Sequence, residues 1–352
     1  MKTKVMDEDF SEIISEFEKE LMTLEGKTVL ITGASGLIAS YLVDIISLFN
    51  RRLEKPCKMI LMNRHKIENG SRLSHLIEDP NISFVTLDVG KKFDISEKPN
   101  IIIHAASRAN PTAFLADPID TIDANVNATR TILEYAKDNP LEQFIFFSSA
   151  EVYGNPSPNF IPTRENYNGN VDCTHPYACY IESKRICETL CTTFFRKFNV
   201  PVKMLRILLA YGPGIKNDGK VISDFFYKAA KEKQIILKDD GSARRSFCYI
   251  SDVIRAIFKI MFYGKNGEPY NIGHDEEKEN VSILELAEKI AKISNGDVKV
   301  SPNLEFQKKA GEPTDNRRVN IDKIKGIGFE PKVSLDDGLK KLKRYYQEAG
   351  YL

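Results

Sequence analysis

The chain has 352 residues, room for one large domain and a smaller one. Its 50 Lys and Arg against 49 Asp and Glu leave a net charge of +1, with no basic excess for nucleic acid or a membrane surface. A content of 42% hydrophobic and 28% charged residues excludes a disordered polypeptide, and no apolar run reaches bilayer-spanning length.

Residues 1–26 are acidic and amphipathic, with Phe10, Ile13, Ile14, Phe17 and Leu21 on a helical spacing. They read as an appended N-terminal helical extension without the basic start and apolar stretch of an export signal. A cytoplasmic location is therefore expected, with Cys57, Cys173, Cys179, Cys187, Cys191 and Cys248 as reduced thiols. Their spacing matches no zinc pattern, and no metal is expected.

From residue 27 to 210, β-branched runs alternate with helical patterns. The strand candidates are Lys27–Thr32, Lys58–Asn63, Ile82–Leu87, Ile101–His104, Gln143–Ser148 and Val202–Ile207. Helical patterns cover Leu37–Phe49, Pro118–Asp138 and Pro176–Phe198. Near-continuous apolar strands separated by helices predict a doubly wound parallel sheet, an α/β fold with helices on both faces. His104 ends one strand and is expected to satisfy local backbone groups. Cys187 and Cys191 continue the helix stripe that faces the sheet and are expected to pack there.

The alternation weakens after Tyr211. Tyr211–Gly219, Asp239–Ser246 and Glu312–Arg318 look like loops, with helices at Val221–Lys233 and Ser282–Ser294. Residues 211–352 are therefore expected to form mainly a smaller α/β substrate domain, with some chain returning to the first.

Three motifs carry chemistry. Thr32-Gly33-Ala34-Ser35-Gly36-Leu37-Ile38-Ala39 joins a strand to a helix. Glycines there allow a tight turn and let a pyrophosphate approach the positive helix end. The next strand ends in Asn63-Arg64, with no acid for a ribose hydroxyl. Arg64 can pair with a 2′-phosphate or stand solvated, so NADP stays open beside NAD. In Tyr180-Ile181-Glu182-Ser183-Lys184, the phenol and the ammonium share a helix face, and the cation favours the phenolate. Finally, an apolar strand runs into Ser148-Ser149-Ala150-Glu151. Ser149 can hydrogen-bond a reacting hydroxyl and Glu151 can act as a second base; alternatively the serines cap the next segment and Glu151 is solvated.

In this order and spacing the motifs resemble the extended short-chain dehydrogenase/reductase family, the nucleotide-sugar epimerases and dehydratases. His104-Ala105-Ala106-Ser107, Asn125-Val126-Asn127-Ala128-Thr129, Arg206 with Tyr211-Gly212-Pro213-Gly214, Arg245-Ser246-Phe247 with Tyr249 and Asp252, and Tyr270-Asn271-Ile272-Gly273 extend the resemblance over Lys27 to Leu342. It implies a Rossmann domain with a C-terminal substrate domain. Its NAD would lie against Gly33, Ser35, Gly36, Leu37, Ile38, Asn63, Arg64, Asp88, Val89, Ala105, Ala106, Ser107, Asn125, Ser148, Tyr180 and Lys184. It further implies a catalytic set of Ser149, Tyr180 and Lys184 joined by Glu151, and a nucleotide-sugar substrate met by Arg206, Tyr211, Arg245 and Arg317. A homodimer packed through Pro118–Asp138 and Pro176–Phe198 also follows.

In such enzymes Tyr180 would deprotonate the sugar C4 hydroxyl as hydride leaves C4, with Lys184 keeping the phenol anionic. Ala150 cannot supply the acid that the 4,6-dehydratases use, whereas Glu151 is kept. Cys179-Tyr180 and Lys184-Arg185 resemble the UDP-glucuronate decarboxylases, in which an arginine at the place of Arg245 faces the sugar carboxylate. Leu209 replaces an asparagine that touches substrate. The expected outcome is decarboxylation of a nucleotide uronic acid or 4,6-dehydration, with C4 epimerisation as the enzymatic alternative. A non-catalytic NAD(P)-sensing scaffold is the alternative of another class.

Overall fold

The computed structural model describes residues 3–91, 95, 97–214, 219–294, 296–303 and 315–352. The loop-like segments Tyr211–Gly219 and Glu312–Arg318 thus lie partly outside the described residues. Among the described residues, no helix is long and apolar enough to cross a membrane.

The chain begins with α1 (Lys4–Glu16) and α2 (Glu18–Met22). Then follow β1 (Thr28–Thr32), α3 (Leu37–Phe49), β2 (Lys58–Asn63), β3 (Ile82–Thr86) and β4 (Ile101–His104). Helices α4 (Pro111–Ala116) and α5 (Pro118–Asp138) both start on a proline behind a capping side chain, Asn110 and Asp117. After them come β5 (Gln143–Ser149), α6 (Ala178–Phe198), β6 (Val202–Ile207) and β7 (Ala210–Tyr211).

The last part of the chain holds α7 (Val221–Lys231), β8 (Gln234–Ile236), β9 (Arg244–Ser246), β10 (Cys248–Tyr249), α8 (Ile250–Tyr263), β11 (Pro269–Ile272) and β12 (Asn280–Ser282). It ends with α9 (Ile283–Ile293), β13 (Lys299–Ser301), β14 (Asn316–Arg317), α10 (Asp322–Lys325) and α11 (Leu335–Glu348). A capping box between Ser282 and Glu285 starts α9.

Seven strands form one parallel sheet in the order β11-β6-β5-β4-β1-β2-β3. The sequence of strands reverses between β1 and β4, and crevices at such switch points are where this architecture receives ligands. The register puts Thr32 opposite His104, and His104 opposite Phe146, so β1 and β4 end together while β5 runs on to Ser149. The expected alternation and helix positions recur here within a residue or two of their predicted ends.

His104 is a correction. Its partners are hydroxyls, not backbone: Nδ1 lies 2.7 Å from Thr32 Oγ1 and Nε2 3.1 Å from Thr129 Oγ1. Burial, with the Lys184 cation nearby, pushes the imidazole down to about 3, so it stays neutral. One ring nitrogen donates and the other accepts, which ties β4 to β1 and α5.

Two of the loop-like segments contain short strands instead. A small sheet of order β12-β9-β14 forms from them, antiparallel between β12 and β9 and parallel between β9 and β14. Its register sets Arg317 beside Arg245.

The N-terminal segment is not an appendage. Val5, Phe10, Ile13, Phe17 and Leu21 are all buried. Phe10 meets Tyr41 edge-on at 5.0 Å, and Phe17 meets Phe258 at 5.4 Å. Buried Asp9 accepts from Tyr249 at 2.9 Å and pairs with Lys341 at 2.7 Å, while Glu12 and Glu16 each lie 3.0 Å from Arg255. Phe17→Ala should cost about 3–5 kcal/mol in urea unfolding; a loss below about 1 kcal/mol would show that the segment is dispensable to the core.

Candidate active site

A cleft of about 560 Å³ opens at the carboxyl ends of β1, β4 and β5. That volume suits a small-molecule ligand. Gly33, Gly36, Leu37, Ile38, Ala105, Ser107, Ser148, Ser149, Glu151, Tyr180, Lys184, Tyr211, Arg245 and Arg317 all line it. Ser35, Asn63, Arg64, Asp88, Val89, Ala106, Asn125 and Arg206 lie outside that lining.

At the dinucleotide end, Gly33 sits at φ +63, and a Cβ there would come within 2.7 Å of the Ala106 Cα. Only glycine fits both the left-handed turn and the close approach of two backbones. Gly36 begins α3 with no side-chain cap, which leaves the first backbone N–H groups for another acceptor. Asn63 Oδ1 accepts from the Ser35 amide at 2.9 Å, while its buried Nδ2 has no partner. An unmet buried donor, an uncapped helix end and a turn that admits only glycine fit a dinucleotide.

Arg64 is held by acids. It lies 3.3 Å from Asp120 and 3.8 Å from Asp88, and Arg108 shares Asp120. The guanidinium is thus held in an ion-pair cluster rather than simply solvated. Asp88 also accepts from the Gly90 amide at 3.0 Å, and Val89 packs in the core beneath the sheet.

At the reacting end, β5 runs to Ser149, whose Oγ accepts from the Glu151 amide at 3.2 Å and caps a single tight turn. That turn delivers Glu151 into the cleft. Tyr180 is buried under it and lines the same cleft as Ser149 and Ser107. Burial pushes the phenol up to about 12; Ser149 opposes this, Glu151 and Cys187 add to it, and Ser107 opposes it. Phe114 of α4 stacks on the phenol ring at 5.2 Å and 9°. No sequence pattern signalled this contact.

Lys184 corrects the expected pairing. Its Nζ donates to the Phe147 carbonyl at 2.7 Å and lies 5.0 Å from the centre of the Phe146 ring. Burial pulls the ammonium down to about 8. The lysine shares the cleft with Tyr180, yet the hydrogen bond its ammonium makes is to a backbone carbonyl and not to the phenol. Cys187 and Cys191 are buried against the sheet beside it.

Arg206 is the clearest departure. Its guanidinium clamps Glu188 at 2.9 and 2.6 Å and donates to Tyr153 Oη and the Glu165 carbonyl at 2.9 Å. Ser148 donates to the same Glu188 at 2.5 Å. With its donors consumed behind the cleft, Arg206 braces β5, β6 and α6 and does not face a substrate. Tyr211 lines the cleft with its ring, and its hydroxyl donates to the Leu335 carbonyl at 3.4 Å.

Arg245 and Arg317 do face the cleft. Both bond to Asp315, and Arg317 also grips Glu151. Burial lowers Arg245 despite Asp315. For Arg317 burial is outweighed by Glu151 and Asp315, which hold it above its usual range. Two cations and two carboxylates, Arg245 and Arg317 with Asp315 and Glu151, thus meet at the cleft that Tyr180 also lines, a clustering of ionisable groups usual at functional sites.

Residues 29–273 match the NAD dependent epimerase/dehydratase family. Among relatives, UDP-glucuronic acid decarboxylase 2 of Arabidopsis thaliana is 31% identical over 326 residues, 92% of this chain and 69% of the relative. UDP-glucuronic acid decarboxylase 1 of Danio rerio is 30% identical over 330 residues, 93% of this chain and 74% of the relative. The fold is shared with the epimerase Mth375 of Methanothermobacter thermautotrophicus at a TM-score of 0.79 and 23% identity, over 96% of this chain and 97% of that one. DesIV of Streptomyces venezuelae, a dTDP-glucose 4,6-dehydratase, superposes at a TM-score of 0.75 and 22% identity, over 91% of this chain and 97% of that one.

Gly33→Ala should lose about 1–3 kcal/mol of stability in thermal unfolding and weaken dinucleotide binding in calorimetry. Unchanged binding would remove this turn from the dinucleotide site.

Proposed function

Because this chain belongs to the NAD dependent epimerase/dehydratase family, we propose that it decarboxylates a nucleotide-activated uronic acid through transient oxidation at the sugar C4. Bound NAD supplies the acceptor for the C4 hydride and returns it at the end. The remaining work falls to the chain's own residues.

Ser149 and Tyr180 take up the C4 hydroxyl, and Tyr180 removes its proton as the ketone forms. The C4 ketone makes the C6 carboxylate a β-keto acid. The C5–C6 bond then breaks, carbon dioxide leaves, and its electron pair stays on C5 as an enolate conjugated to the ketone. Arg245 and Arg317 hold the carboxylate before it leaves. Glu151, gripped by Arg317 beside the phenol, handles the proton that C5 requires. Tyr180 finally returns its proton to the C4 oxygen. Lys184 holds the cofactor ribose.

One observation carries the choice of decarboxylation. Position 150 is a buried alanine next to Ser149, and it offers no proton to a departing C6 hydroxyl. Loss of carbon dioxide needs no such acid, and the two arginines meet the carboxylate that this reaction consumes. The similarity to two decarboxylases that act on UDP-glucuronic acid supports the same reading.

The enzyme is further proposed to work as a homodimer through α5 and α6, where Ile119, Ile122 and Ile186 are left exposed. Ile119→Glu combined with Ile122→Glu should yield a monomer in light scattering. A dimer that survives both charges would place the interface elsewhere.

The reaction is tested by incubating the NAD-loaded enzyme with UDP-glucuronate and with UDP-, dTDP-, GDP- and CDP-hexoses, read by mass. Carbon dioxide loss from the uronate is expected; water loss from a hexose, or an isomer of unchanged mass, would replace this reading by dehydration or epimerisation. Tyr180→Phe should lower kcat by about 10²–10⁴-fold. Glu151→Gln should stall with a 4-keto sugar detectable, and full product yield in that variant would remove Glu151 from the C5 step.

A further inference from the structure

Arg206, Glu188 and Tyr153 lie outside the cleft lining, yet their hydrogen bonds grip the chain on both sides of Ser149 and Glu151. We propose that these three are positioning residues that set where Ser149 and Glu151 stand in the cleft. Ser148 is held before the reacting pair and Tyr153 after it. The proposal rests on the reading of Ser149 as acting at C4 and Glu151 at C5.

The register places the anchoring side chains in one row. Ser148 of β5 is paired with Arg206 of β6, and Arg206 with Asn271 of β11. Residues side by side on neighbouring strands share a face of the sheet, here the face that meets Glu188 of α6.

Each bond in the row has a fixed direction. Asn271 Nδ2 donates to the Thr163 carbonyl at 3.0 Å and to the Asn320 carbonyl at 2.9 Å, groups that can only accept. Asn271 Oδ1 is therefore the acceptor for the Tyr153 hydroxyl, which donates to it at 2.7 Å. The Tyr153 oxygen then accepts from Arg206 Nη1 at 2.9 Å. Elsewhere on the guanidinium, Nε and Nη2 donate to the two oxygens of Glu188 at 2.9 and 2.6 Å. The same carboxylate accepts from Ser148 Oγ at 2.5 Å. Asn271, Tyr153 and Ser148 are buried, so water does not compete for these bonds.

The chain between the two grips is short. Ser149 ends β5, and residues 150–153 make a single tight turn. Arg185 of α6 donates to the Val152 carbonyl at 2.8 Å and adds a hold from the same helix. A shift at Ser148 is passed directly to Ser149, and a shift at Tyr153 reaches Glu151 two residues away. A buried ion pair is a poor source of stability, because desolvation offsets the attraction. A forked guanidinium on a carboxylate is a good means of fixing a distance and an angle.

The two grips predict two different defects. Tyr153→Phe removes one oxygen, keeps the buried ring and frees only the Glu151 side. Glu188→Gln breaks the fork and loosens both sides. The test mixes the NAD-loaded enzyme rapidly with UDP-glucuronate, or with the nucleotide sugar that the mass comparison identifies as substrate. Absorbance follows the reduced cofactor, and mass follows the sugar. In Tyr153→Phe the cofactor should be reduced at the wild-type rate while product formation falls about 10–100-fold. Reduced cofactor and a 4-keto sugar then build up together. In Glu188→Gln the reduction itself should slow by a similar factor. KM should not change in either variant, because neither residue lines the cleft.

Wild-type kinetics in Tyr153→Phe overturn the proposal, as does equal slowing of both steps in that variant. So does a rise in KM in place of the fall in kcat, or a folded Glu188→Gln that reduces its cofactor at the wild-type rate. Should Glu188→Gln not fold, Tyr153→Phe decides alone. Glu151→Gln separates the proposal from the reading beneath it. If that variant forms product normally, the role of Glu151 falls and the proposal with it. If it stalls while Tyr153→Phe turns over normally, only the positioning role falls.

Discussion

Burial of the Tyr180 phenol governs the design of this cleft. A phenol shielded from water resists ionisation, and here burial pushes it up to about 12. Glu151 stands close and opposes the charge further. Whatever makes the residue a usable base must therefore come from the groups that surround it in the cleft. Ser149 arrives from the end of β5 because its own oxygen caps the turn that follows. Ser107 arrives from the end of β4, anchored through Asn125 to α6. The position of one proton thus depends on the registry of β4 and β5 with the helix that covers them.

The same economy explains the buried charges behind the cleft. Glu188 lies on the catalytic helix, on the far side of β5 from the reacting end. It accepts from Ser148 and is clamped by Arg206, which reaches on to Tyr153 and the Glu165 carbonyl. Tyr153 in turn donates to Asn271 of β11 at 2.7 Å. Ser148, Glu188, Arg206, Tyr153 and Asn271 thus partner one another in the buried interior, which is the condition for tolerating them there. The network pins α6 to β5, β6 and β11, and so fixes the height at which Tyr180 and Lys184 enter the cleft. Arg206 serves the site by holding its floor.

Much of this was legible in the sequence because parallel strands buried on both faces must be continuous apolar runs. Lys58–Asn63, Ile101–His104 and Val202–Ile207 stand out for that reason, and Pro118 marks where α5 begins. The glycine turn and the Ser149–Glu151 segment were legible because they stand at strand ends, and Tyr180 because of its helical spacing from Lys184. Other features leave no periodic trace. Strands β9 and β14 have three and two residues, too few for a pattern, yet their pairing sets Arg245 beside Arg317. The spacing of Tyr180 and Lys184 correctly predicts a shared face but not a contact, because a buried ammonium is drawn to the nearest carbonyl. The N-terminal amphipathic pattern was visible, while its burial against α8 and α11 depends on partners more than 200 residues away, as in the bond from Tyr249 to Asp9.

Tracing a deuterium label at C4 of the nucleotide uronate tests the account most directly. If hydride leaves C4 and returns to it, turnover of the labelled substrate should be slower, and the decarboxylated product should keep deuterium at C4. Carbon dioxide release with the label lost to solvent, or at the same rate with no transient reduction of the bound cofactor, would contradict oxidation at C4 and with it the role given to Tyr180.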